Sequence, residues 1–510
     1  MKPADTRLRA TPFAVLALAC GSALAAPVEP GLLDQARRDG RVEALLVLPD
    51  QARPALAPLD AGADYRLRRR ALVDALRARA ATQQAGLRAW LDARGIAYRP
   101  YWIANLVWVR AGAADLAALA ARDDLGRIAA NPRLAAHLPR SARAAAADGA
   151  VGGIAWGVQK INAPAVWDAG FDGQGVVVGG EDTGYQWDHP ALKPHYRGWD
   201  GSTAEHAYNW HDAIHDEDGN ACGSDAPEPC DDYGHGTHTA GTFAGGDGGA
   251  NRIGVAPGAR WIGCRNMADG VGTPARYVEC MQWMLAPTDA AGANPDPDRA
   301  PDVVSNSWTC TADEGCTTGA EIAAAVDNLV AGGIFFAAGA ANDGPGCGTI
   351  AEPPAIYDAS FVVGMTDDFD RVNLMSSRGP VAGTATIRPD VVAPGVSICS
   401  SVPGNGYSCD WTGTSMATPH VAGAAALLMS VNPALKGRPG QIAELLRASA
   451  VTDGVSDPSH PPPGGCGGLT MADWPNYQAG YGRIDVLAAA LAAGLGDALF
   501  EDGFDGTPAR

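Results

Sequence analysis

Three short segments hold side chains that together could activate an alcohol. GEDTGYQWDHPAL carries Asp182, DDYGHGTHTAG carries His235 and WTGTSMATPHVAG carries Ser415. A serine hydroxyl is a weak nucleophile near neutral pH. It needs a base to take its proton and a carboxylate to orient that base and stabilise the imidazolium. Asp182, His235 and Ser415 supply those three roles. A tetrahedral intermediate also needs a donor to its oxyanion. Asn342, in GAANDGPG, offers a side-chain amide, and the backbone N–H of Ser415 is a second candidate.

Each residue taken alone has a plainer reading. Ser415 precedes a long apolar run and suits a helix N-cap, Asp182 could cap a turn, and His235 could be a satisfied core histidine. His238 stands three residues beyond His235, but H-x-x-H with no third ligand is a weak metal pattern. His238 and His420 are therefore read as structural support. The joint occurrence of the four groups favours nucleophilic catalysis.

Such groups need rigid elements to aim them. The strand patterns GVVVGGED, ARWIGC, PDVVSNS, GIFFAAG and ASFVVGM alternate with the helix patterns AGTFAGG, PARYVECMQWML and GAEIAAAVDNLVAGG. This alternation predicts a mostly parallel sheet between helices, with the site at the carboxyl ends of the strands. Asp182 ends one strand, His235 starts a helix among glycines, and Ser415 starts a helix that is apolar on nearly every side. Upstream, 42–48 and 103–110 read as strands and 66–94 and 113–122 as helices, a small α/β sandwich. Residues 139–153 read as an exposed linker.

The chain has 510 residues, enough for more than one domain. A basic start, the apolar run FAVLALACGSALA and the small residues Ala23 and Ala25 read as an export signal ending at 25 or 26. The ten cysteines beyond it suggest disulfides in an exported protein. Close spacing pairs 222–230, 310–316 and 399–409, leaving 264–280 and 347–466. Cys222 and Cys230 could alternatively ligate a metal, though no second cluster supports that. Charge is divided: residues 27–144 hold 19 arginines against 12 acidic side chains, whereas 145–510 hold 16 basic against 44 acidic. The arginines are interleaved with acids and helical apolar periodicity, so a solvated face and an acidic intramolecular partner explain them better than nucleic acid.

The blocks EDTG, GHGTHTAG and GTSMATPHVAG, in the order Asp, His, Ser, resemble the signature blocks of the subtilisin-like serine proteases. The similarity runs over about 156–492 and is greatest to the bacillopeptidase F-like branch, through YQWDHPALK, YRGWDG, WMLAPTDAAG and APDVVSNSW. It implies a three-layer α/β catalytic domain over 145–495, preceded by a signal over 1–25 and an inhibitor-type propeptide with linker over 26–144. An acidic tail follows at 496–510. It further implies that Asp182 orients His235, that His235 is the general base, that Ser415 attacks and that Asn342 donates to the oxyanion. Ser307, Trp308 and Thr309, with Ala340 and Ala341, match the walls of the substrate pocket.

Peptide hydrolysis would then need no cofactor, and the partners are protein substrates and the chain's own propeptide, acting as chaperone and inhibitor before self-cleavage near 140–150. The expected product is an exported, extracellular or periplasmic monomer that binds neither nucleic acid nor membrane. Two departures from the family matter. Ala341 stands where glycine is usual, so its methyl, like the bulk of Trp308, is expected to alter the pocket. Ala191 stands where a calcium-binding carboxylate is usual, so one calcium site is expected to be lost. The insert HDAIHDEDGNACGSDAPEPCDD is rich in oxygen ligands, but acidic runs of this kind are more often solvated loops. A catalytically silent binding protein on the same scaffold, or a serine esterase, is the competing reading.

Overall fold

The computed structural model describes residues 26–51, 64–135, 138, 151–216, 219–461 and 463–496. The expected signal, most of the linker and the acidic tail beyond 496 lie outside the described residues. Among the described residues, no helix is long and apolar enough to cross a membrane.

Seven strands lie in the order Val391–Pro394, Phe361–Thr366, Phe335–Gly339, Val303–Asn306, Val177–Asp182, Arg260–Arg265 and Trp210–Asp212. Every neighbouring pair is parallel. Because side chains alternate along a strand, the sheet feeds two cores. Val178, Trp261, Val303 and Phe335 face one, which the helices His235–Ala244 and Thr414–Val431 cover. Ile262, Cys264, Val304 and Phe336 face the other, under the helices Pro274–Leu285 and Ala323–Ala331. This is the expected subtilisin-like α/β arrangement. The helix Thr414–Val431 is buried along its whole length, which is why its sequence shows no polar face.

A second, antiparallel sheet runs Ala97–Tyr101, Leu106–Ala111, Val42–Val47 and Arg127–Ala130. Its residues Leu45, Tyr101 and Trp108 pack into the core beneath the helix Pro274–Leu285. Its other face closes over Leu87, Leu91 and Leu116. The strands at 97–101 and 127–130 were not anticipated, since the first contains Pro100 and the second is short. The helix predicted over 66–94 is two helices, Tyr65–Gln83 and Ala85–Arg94. The break falls at buried Gln84, whose amide donates to Tyr101 O (2.9 Å) and Asn105 Oδ1 (3.2 Å).

Among the described residues, five disulfides join the closely spaced pairs 222–230, 310–316 and 399–409 and the two pairs left over, 264–280 and 347–466. The bond between Cys264 and Cys280 ties a central strand to the helix packed on it.

Candidate active site

Three adjacent strands end at the site: Val177–Asp182 at Asp182, Val303–Asn306 just before Ser307, and Phe335–Gly339 just before Ala340. Asp182 is buried, and its Oδ1 lies 2.7 Å from His235 Nδ1 and accepts from Thr183 N at 2.7 Å. Thr239 Oγ1 donates to its Oδ2 at 3.3 Å. A carboxylate at Nδ1 keeps the proton on that nitrogen and leaves Nε2 to act as acceptor. His235 Nε2 is buried and has no hydrogen-bond partner among the described residues. The approach that makes this pair requires glycine at 236, where a Cβ would stand 2.1 Å from Gly184 O and 3.1 Å from Asp182 Cβ.

Ser415 does not cap its helix. The N-cap is Gly413, and the Ser415 hydroxyl donates to Ser307 O at 2.9 Å. Ser307 Oγ donates in return to Ser415 O, also at 2.9 Å. Asn342 Oδ1 accepts from Thr414 N (2.9 Å) and Thr414 Oγ1 (3.3 Å). With its oxygen so occupied, the amide has its two Nδ2 protons left to donate elsewhere. The N–H of Ser415 lies in the first helical turn, where no intrahelical acceptor exists.

Ser307, Trp308, Thr309, Ala341 and Asn342 line one cavity with Ser415, and Leu138 of the amino-terminal unit lines it too. Ala340 does not line it but packs with Ile350, Val362 and Val381 in a separate core. Trp308 lines the cavity but adds less bulk to it than expected. Its ring stacks on Tyr277 (4.0 Å, 6°) and its indole donates to Glu181 O (3.0 Å), so the bulk is drawn into the core. Ala341 keeps its methyl at φ 78, a left-handed conformation that glycine adopts without strain.

Sequence reasoning missed Asp231. Its Oδ1 accepts from Thr183 Oγ1 (2.9 Å) and Gly234 N (2.8 Å), and its Oδ2 from Thr237 N (2.9 Å) and Thr237 Oγ1 (2.6 Å). It therefore locks the residue after Asp182 to the helix that begins with His235. Burial pushes its carboxyl upward against these donors. The available signal was an acid four residues ahead of the histidine, at a helix entry.

His238 and His420 are structural as expected. His238 stacks on Trp411 (5.0 Å) with Nε2 at Ile398 O (3.1 Å), and His420 Nδ1 lies at Met416 O (2.8 Å). Burial pushes them down to about 3 and about 4, so both are neutral in ordinary media.

The insert at 211–232 gathers its oxygens around a cation that the chain itself provides. Arg265, fully buried, donates to Asp212 Oδ2 (3.2 Å), Gly223 O (3.1 Å), Asn220 Oδ1 (2.9 Å) and Asp232 Oδ2. These four oxygens accept from a guanidinium and so are not free to ligate calcium. His460 Nε2 lies 3.8 and 3.9 Å from the sulfurs of Cys347 and Cys466, but their disulfide leaves no thiolate for a metal.

Residues 173–473 match the Subtilase family. The chain belongs to that family. This subtilase is 39% identical to Bacillopeptidase F of Bacillus subtilis (strain 168) over 363 residues, which are 68% of the chain and 23% of that protein. It is 31% identical to Subtilisin E of the same strain over 282 residues, 55% of the chain and 62% of the relative. It is 32% identical to Subtilisin Savinase of Lederbergia lenta over 281 residues, 55% of the chain and 86% of the relative. The alignments thus span under a quarter of Bacillopeptidase F and under two thirds of Subtilisin E. They support placement in the bacillopeptidase F branch.

Proposed function

We propose that this subtilase is an exported serine endopeptidase, made as a precursor that processes itself, and that it cuts peptide bonds through an acyl-enzyme. The reading is carried by the buried Asp182–His235 pair (2.7 Å), whose Nε2 has no partner among the described residues and whose carboxylate ends the strand next to the one that runs into Ser307, the residue that holds the Ser415 hydroxyl. Rotation about χ1 turns the Ser415 hydroxyl from Ser307 O toward Nε2. His235 takes the proton as Oγ attacks the peptide carbonyl, and Asp182 stabilises the imidazolium. Asn342 Nδ2 and the Ser415 N–H hold the oxyanion. His235 then protonates the departing amine, and water attacks the acyl-enzyme by the same route. All these groups belong to the chain itself.

Substrate would bind as an added strand. The strand Leu134–Ala135 supplies the pattern by pairing antiparallel with Val271–Gly272, three residues before Leu138 reaches the cavity at Ser415. This favours reading 26–144 as a propeptide that blocks the crevice until it is cut. The five disulfides and the expected signal favour export.

A serine-directed phosphonate, followed by peptide mapping, is expected to label Ser415. Label landing away from Ser415 overturns the assignment, and no label on mature protein favours the silent binding protein. Asn342→Leu is expected to lower kcat by about 10²–10³ with little change in KM, because the lost donor acts on the charged intermediate. The cavity is lined by neutral groups, so a peptide series varying the residue before the scissile bond should show leucine preferred over aspartate or arginine. Equal cleavage of all three would remove the pocket from the account.

A further inference from the structure

At the opposite, amino-terminal ends of the same strands, backbone loops meet around one guanidinium. Arg69, on the helix Tyr65–Gln83, is 1% exposed. Its Nε donates to Gly332 O (2.8 Å) and its Nη1 to Pro297 O (3.4 Å). One helical turn earlier, Tyr65 OH donates to Asp302 Oδ1 (3.2 Å), and its ring lies 5.2 Å from the Arg69 guanidinium. The carboxylate that receives it is fixed, since Asp302 Oδ2 accepts from Val177 N (3.0 Å) and Lys436 Nζ (3.1 Å). The floor is bare backbone: a Cβ on Gly437, at φ +76, would stand 2.3 Å from Tyr65 Cβ.

Carbonyl oxygens and a preset carboxylate over a side-chain-free floor suit a planar, donor-rich cation lying beside a phenol. Spacing i, i+4 puts Tyr65 and Arg69 on one helical face, and only the arginine fork presents donors in fixed directions to two carbonyls. We propose that this groove is a second recognition site, separate from the crevice at Ser415, which takes a tyrosine–arginine pair from one face of a helix and retains the amino-terminal segment after the chain is cut. The inference rests on the reading of 26–144 as a propeptide.

The strand Val303–Asn306 links the two sites, with Asp302 before it and Ser307 after it. The amino-terminal segment therefore grips both ends of the sheet, with Leu138 at one end and Tyr65 and Arg69 at the other. Release at one end leaves the other engaged, so rebinding is intramolecular and fast. Cleavage alone does not free the crevice, and escape from the groove sets when activity appears.

The test follows the full-length wild-type chain and a Tyr65→Ala/Arg69→Met variant through maturation. Denaturing gels read the cut, and gel filtration reads whether the fragment stays. The cut is expected at the same rate in both, with the fragment leaving about tenfold to a hundredfold faster in the variant. The milder Tyr65→Phe and Arg69→Lys variants should fall between. Hydrogen exchange on uncut Ser415→Ala chains reads the groove without catalysis. The double variant should lose protection at 297–302 and 332–334 and keep it at 42–47, which reports that the amino-terminal sheet is folded. Equal retention and equal protection would overturn the groove. A wild-type chain that stays a single uncut band counts against self-processing alone, and the exchange comparison then decides the groove.

Discussion

Ser415→Ala is expected to lower kcat for peptide hydrolysis by about a millionfold and to leave the full-length chain uncut. The argument is chemical, because the substitution is structurally mild. Alanine suits the helix Thr414–Val431, and the one hydrogen bond lost runs to Ser307 O, worth about 1 kcal/mol of stability. What disappears is the atom that bonds to the peptide carbon. His235→Ala should cost about as much, and the double variant little more, because nucleophile and base act as one unit. Additive losses would mean that two independent routes exist, which sinks the shared proton-transfer step. Uncut Ser415→Ala precursor mixed with a trace of wild type separates cutting within a chain from cutting between chains.

Glu181→Met is expected to stabilise the protein as the medium turns alkaline. Glu181 immediately precedes Asp182 on the strand Val177–Asp182, is fully buried, and neither carboxylate oxygen has a hydrogen-bond partner among the described residues. It stands beside Cys264 and Asn306 in register across the neighbouring strands. Desolvation pushes its carboxyl well above the usual range, so the folded chain keeps a proton that the unfolded chain releases. The stabilising effect is complete below the unfolded value of about 4.3 and is lost as pH rises, by about 1.4 kcal/mol per unit, until the folded value is passed. Above about pH 5 the wild type is therefore expected to lose stability as the pH rises. Methionine of similar length removes the titrating group and should flatten the profile, and Glu181→Gln should flatten it too while keeping a buried polar group. Denaturant unfolding on a Ser415→Ala background, where self-digestion cannot interfere, measures both. A wild-type profile already flat over this range would show that Glu181 is not a neutral buried acid.

Local patterns made much of the catalytic layer legible. Apolar runs of strand length alternating with helical runs required a covered parallel sheet, and the ends of those runs placed Asp182, His235 and Asn342 beside a common edge. Close cysteine spacing anticipated three disulfides, and the remaining four cysteines had few ways left to pair. In the amino-terminal unit the same reasoning did less well. It merged two helices across Gln84, because helical periodicity continues through that residue while its amide is claimed by Tyr101 and Asn105 from another element.

The sequence by itself determined which reactive groups exist, in what order and at the ends of which elements, since these depend on patterns a few residues long. Tertiary structure alone decided how they meet. The Ser415 hydroxyl rests on Ser307, the ring of Trp308 turns into the core against Tyr277, Asp231 joins Thr183 to the His235 helix, and Arg265 fills the insert that its oxygens had suggested for a metal. Most of these contacts join residues tens to more than a hundred positions apart. Their partners are chosen by packing and by the need to satisfy buried polar atoms, and neither is written in the spacing of neighbours along the chain.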